Sequence, residues 1–81
     1  MHIDDLRALS KAIKLAYPIR EAASISEWPA DLRKLVEDAP HNEGIDAAFF
    51  DGKIWLAADR LPDLDTAQNR ILHEAAHGGL R

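Results

Sequence analysis

Residues 44–59 read GIDAAFFDGKIWLAAD, and the Asp51-Gly52 pair near their centre decides how the chain folds. An aspartate-glycine step between two apolar runs marks a two-residue β-hairpin. The turn then sets the register: Phe50 faces Lys53, Phe49 faces Ile54, and Ala47 faces Leu56. Side chains alternate across a strand. One face of a hairpin over 45–59 therefore carries Ile45, Ala47, Phe49, Ile54, Leu56 and Ala58, a coherent core face. The other carries Asp46, Ala48, Phe50, Lys53, Trp55 and Ala57. On that mixed face Phe50 and Trp55 are not ordinary solvent residues. They are candidates for a partner surface, whether the cover is a helix, a partner chain or a further part of a larger protein.

Upstream of the hairpin, Ile3, Leu6, Leu9, Ile13 and Ala16 recur at helical spacing, with Asp4 and Asp5 where a helix dipole favours negative charge. A first amphipathic helix is expected over 3–17, ended by Pro18. The stretch IREAASISEW is open to three readings: a loop, a short helical turn, or a short third strand around Ile25. Pro29 opens a second helix, PADLRKLVEDA, with Leu32, Leu35 and Val36 on one face, and Pro40, Asn42 and Gly44 break it.

Downstream, RLPDLD is a connecting loop, and Asp65 or Thr66 can cap a last helix over 65–78. Gly78-Gly79 then offers a left-handed stop. The expected architecture is α+β within one small domain, residues 1–81: two N-terminal helices, a β-hairpin with room for a third short strand, and a closing helix across the hairpin. Leu6, Ile13, Leu35, Phe49, Leu56, Ile71 and Leu72 are expected to meet in its core.

That last helix carries the chemistry. It reads HEAAH at residues 73–77. At about 100° per residue, His73 and His77 stand one above the other, with Glu74 on the same polar side. Two imidazoles so placed can grip one ion at about 2.0–2.1 Å, and the carboxylate between them can serve as a general base. The spacing matters because ligands and base must address one water from one helical face. An ordinary polar helix face can also contain these three residues.

Composition narrows the alternatives. The chain has no cysteine, so any metal site rests on histidine and carboxylate donors. A net charge of −4 with ten scattered Lys and Arg argues against a nucleic-acid groove. No apolar run approaches the roughly 20 residues needed to span a bilayer, and the opening MHIDDLRALSKAIKLAYP is unlike a signal peptide. No membrane association and a cytoplasmic location are the expectations.

From Gly44 to Arg81 the chain resembles the zincin-type metallopeptidase domains of large polyvalent proteins in phages and mobile elements. The matching pieces are DGKIWLAADRL, ILHEAAH and HGGLR. The resemblance implies zinc as cofactor, His73 and His77 as its ligands, Glu74 as the catalytic base, and the strand at 53–59 as the edge that aligns an extended peptide or protein substrate. It also implies further helices beyond the motif that hold the remaining ligand. After His77 this sequence has only Gly78, Gly79, Leu80 and Arg81. Leu80 stands where the metzincin continuation has glycine. The chain is thus expected to be truncated after the motif and incomplete as an enzyme.

His41 or Asp59, or a second chain, could supply the missing donor. His41 reads first as a loop residue, however, and His2 as part of a flexible terminus. The alternative to a prophage-related metallopeptidase, intact or remnant, is a non-catalytic interaction or self-associating module that keeps the motif helix.

Overall fold

The computed structural model describes residues 1–39 and 44–79, and its fold is α+β. In chain order the elements are α1 (Ile3–Ala12), β1 (Ile19–Ala22), a short 3-10 turn at Ile25–Glu27, and α2 (Ala30–Asp38). There follow β2 (Ala47–Phe50), β3 (Lys53–Ala57), a second 3-10 turn at Ala58–Arg60, and α3 (Leu64–Gly79). The three strands form one sheet in the order β1-β3-β2.

The hairpin forms in the expected register, with Ala47 opposite Leu56, Ala48 opposite Trp55, Phe49 opposite Ile54 and Phe50 opposite Lys53. Its turn has φ 55° at Asp51 and φ 72° at Gly52. Two consecutive positive φ values are the mirror-image turn that matches strand twist, and they explain why this dipeptide sits there.

The third strand exists, but it lies at Ile19–Ala22 rather than around Ile25, where the chain makes a helical turn. It runs parallel to β3, with Ile19 opposite Ile54 and Ala22 opposite Ala57. The first helix is correspondingly shorter than expected. It stops at Ala12, and Ile13 is already extended at φ −94°, ψ 121°. Ile13, Leu15, Tyr17 and Ile19 all pack toward the same core cluster while the residues between them are exposed. That is the period-two pattern of extended chain, and Pro18 reinforces it by disfavouring helix at Tyr17. Tyr17 also meets Phe49 edge-on, with ring centroids 4.9 Å apart.

Both faces of the sheet are covered. On one face α1 and α3 bury Leu6, Ile54, Leu56, Leu61, Ala67 and Ile71. On the other face Trp28, Leu32 and Val36 close over Ala22 and Ala57. Trp28 is 2% exposed, and its indole Nε1 donates to the Leu56 carbonyl at 3.1 Å, so its one polar atom is satisfied inside. Phe50 and Trp55 are half-buried beside this second cluster, with Trp55 Nε1 donating to the Phe50 carbonyl at 3.0 Å. Ile45, expected on the first face, packs instead with the second cluster because the chain enters β2 only at Ala47.

Two expected core residues lie outside. Leu35 is 59% exposed and Leu72 is 48% exposed. In α2 the buried stripe is Leu32 and Val36, four residues apart, and Leu35 falls to its side. In α3 the stripe runs Ala67–Ile71–Ala75, and Leu72 sits about 100° away from it. The N-terminal ammonium of Met1 donates to the Ala58 and Leu61 carbonyls at 2.8 and 2.6 Å, tying the start of the chain to the turn before α3. Among the described residues no helix is long and apolar enough to cross a membrane.

The cap of α3 is Asp63, not Asp65 or Thr66. Its carboxylate accepts from the Thr66 N–H at 2.8 Å, and its carbonyl accepts from the Ala67 N–H at 3.1 Å. The Thr66 hydrogen bonds hold the Asp63 carboxyl below its usual range. A carboxylate with a depressed folded value adds stability above its unfolded value and loses it as pH falls through the folded one. Asp63→Ala is therefore expected to lower the melting temperature more at pH 7 than at pH 2, while Asp63→Asn, a neutral residue that can still cap, loses less than Asp63→Ala at pH 7. Thermal melts at both pH values check this. An equal loss at both would remove the charged cap from the account.

Candidate metal centre

α3 presents three different surfaces. Ala67 and Ile71 are fully buried against the sheet, and Ala75 packs beside them. His73 and His77 are exposed, and Glu74 lies between the two regimes, half-buried on the flank that faces β2. The histidine rings stand 4.4 Å apart, centroid to centroid, tilted by 54°. One donor atom from each of His73, Glu74 and His77 lies within 4.8 Å of the others.

Two imidazole nitrogens and a carboxylate oxygen form a donor set suited to a borderline divalent ion. This group could bind a metal ion. The helix is continuous through the motif to Gly79, the last described residue, so neither Gly78 nor Gly79 interrupts it at the expected position. No rearrangement of backbone is needed to bring the three donors together.

Burial pushes the Glu74 carboxyl above its ordinary value of 4.5. The neighbouring His77 and His73 oppose the rise, Asp46 adds to it, and Arg70 opposes it. Asp46 and Arg70 are themselves paired, Nε to carboxylate at 3.2 Å, which ties α3 to the residue just before β2. This pair borders the site one turn ahead of Glu74. Arg70 lies on the motif helix and Asp46 on the hairpin, and nothing in sequence spacing joins the two.

The raised value has a sign for stability. Between the ordinary value and the raised one, the folded chain holds a proton that the unfolded chain has released, so stability falls as pH rises through that window. Glu74→Gln cannot ionise. The metal-free variant should be more stable than the parent at pH 7, by less than about 1 kcal/mol given the partial exposure of the group. The gain should vanish below about pH 4, where both states carry the proton. Urea titrations at the two pH values measure it, and a destabilised variant at pH 7 would contradict the buried-carboxylate account.

Two other histidine or carboxylate donors named from sequence, His2 and Asp59, do not join the group. His2 caps α1, its Nδ1 accepting from the Asp4 N–H at 3.1 Å. Asp59 lies exposed in the 3-10 turn. His41 falls outside the described residues. Among the described residues, then, the donor set is His73, Glu74 and His77. The strand expected to serve as a substrate-aligning edge also needs correcting. β3 is the central strand, paired on both sides, and the edge nearest the motif is β2.

Beside β2 opens a groove of about 360 Å³ between α2 and α3, with Glu74 and His77 on its α3 wall. Every other described side chain that lines it is apolar.

No protein-family model matches the chain, and comparison with curated proteins and with solved structures returns no match.

Proposed function

We propose that this chain is a zincin-like domain, related to phage or prophage metallopeptidases, in which His73 and His77 hold zinc and Glu74 is the general base. The observation that carries the reading is the clustering of the three donor atoms within 4.8 Å on one uninterrupted helix, with the imidazoles turned to solvent. A bound zinc ion supplies Lewis acidity, polarising a peptide carbonyl and acidifying a water molecule.

The remaining roles belong to the chain. Glu74 takes the proton from the attacking water and hands it to the departing amine. A partly buried carboxyl with a raised proton affinity suits that two-way task better than a fully solvated one. Arg70, held by Asp46, supplies positive charge next to the base. Catalytic zinc sites have three protein ligands and an open position. Peptide-bond hydrolysis thus awaits one more donor from outside the described residues or from another chain.

A second reading keeps the helix and drops the catalysis: an interaction or self-associating module whose surface includes Phe50, Trp55 and the exposed Leu35 and Leu72. Zinc separates the two. One equivalent of zinc added to the full chain should shift the imidazole signals of His73 and His77 alone, with affinity tighter than about micromolar, and His73→Ala should abolish the response. Millimolar binding, or shifts spread over all the histidines, would favour the module. Light scattering over a concentration series measures self-association independently.

A further inference from the structure

The groove beside β2 has two unlike walls. Leu32, Leu35 and Val36 of α2 form one, Glu74 and His77 of α3 form the other, and Ala47 and Ala48 of β2 lie among its lining residues. Ala48 packs with the Trp28 cluster on the α2 side of the sheet, and Ala47 with the α3 side. The groove therefore passes across the rim of the sheet from one covered face to the other. Two alanines in succession on that strand leave the space that larger side chains would fill.

An extended chain directs successive side chains to opposite sides. One laid along this rim would turn one side chain toward the leucine and valine wall and keep its backbone beside Glu74 and His77. Leu35 has no place in the core and is 59% exposed, so a ligand there covers apolar surface that the fold leaves open. An acidic side chain would enter an apolar wall and meet the Glu74 carboxylate, both unfavourable.

We infer that the groove selects a peptide carrying a bulky aliphatic or aromatic side chain, seated on the exposed Leu35 beside the buried Leu32 and Val36, with its backbone next to the histidine helix. The inference names the substrate class of the site and rests on the metal-helix reading above.

The test uses the full chain with methyl-labelled leucine and valine, titrated with N-acetyl-leucine hydroxamate and with N-acetyl-glycine hydroxamate, each with and without one equivalent of zinc. The leucyl probe should bind about tenfold more tightly in both conditions, the scale of burying part of a leucine side chain, and should move the methyl signals of Leu32, Leu35 and Val36. Leu35→Asp, at an exposed position, should remove the preference, and the milder Leu35→Ala should reduce it.

Equal affinities for the two probes would overturn the inference, as would a preference that survives Leu35→Asp. Methyl shifts that follow protein concentration rather than probe would also overturn it, because a second copy would then fill the groove. Zinc should tighten both probes alike. Loss of that common gain with the leucyl preference intact would count against the metal reading alone.

Discussion

Trp28→Ala is expected to cost about 3–5 kcal/mol, a large share of what keeps the chain folded at 25 °C. The indole is almost wholly buried between α2 and the sheet, and it donates a hydrogen bond to the carbonyl of the central strand. Truncating a buried tryptophan typically costs about 3–5 kcal/mol, and here the Leu56 carbonyl also loses its donor from that side. A domain of 81 residues has only roughly 4–12 kcal/mol to lose. Trp28→Phe keeps most of the buried volume but loses the N–H and part of the ring area, so it is the milder change. It should cost about 1–2 kcal/mol. Urea unfolding followed by circular dichroism measures both. A Trp28→Ala chain with near-parent stability would mean that the second face of the sheet does not hold the fold together.

The second large effect concerns the metal. If His73 and His77 hold zinc in the folded chain and not in the unfolded one, zinc stabilises the fold by mass action. At a free concentration about 100 times the dissociation constant the gain is about 2.7 kcal/mol, and for a domain this small the melting temperature should rise by roughly 10–20 °C. His77→Ala should melt like the metal-free parent with or without zinc. Glu74→Gln should keep most of the rise, because both imidazoles remain. Melts with and without a chelator measure all three. A parent chain indifferent to zinc, or a His77→Ala variant that keeps the rise, would remove the histidine pair from the proposed function.

Local chemistry was the part of the fold most open to reading from sequence. Asp51-Gly52 allows few turns, and once the turn is known every pair from Phe50–Lys53 to Ala47–Leu56 follows by counting. The motif helix was legible for a similar reason: 3.6 residues per turn puts His73 and His77 together whatever surrounds them. Errors arose where two periodicities overlapped. Leu9, Ile13 and Ala16 fit a helix, while Ile13, Leu15, Tyr17 and Ile19 fit an extended chain, and tertiary packing beside β3 decides for the second. Leu35 and Leu72 are apolar, and apolarity alone does not say which side of a helix meets the sheet. The groove and the Asp46–Arg70 pair were out of reach, since each joins segments far apart in sequence.

β3 is paired in parallel on one side and antiparallel on the other, with packed side chains above and below. Its amide protons point alternately to the two neighbours, Ile54 donating to Pro18 beside β1 and Ala57 to Asp46 beside β2, so every one of them is held within the sheet and under the packed layers. In deuterated water the N–H groups of Trp55 and Leu56 should therefore be the slowest to exchange, at a rate set by opening of the whole molecule. The amides at the start of α1 and the end of α3 should exchange orders of magnitude sooner, through fraying that leaves the sheet intact.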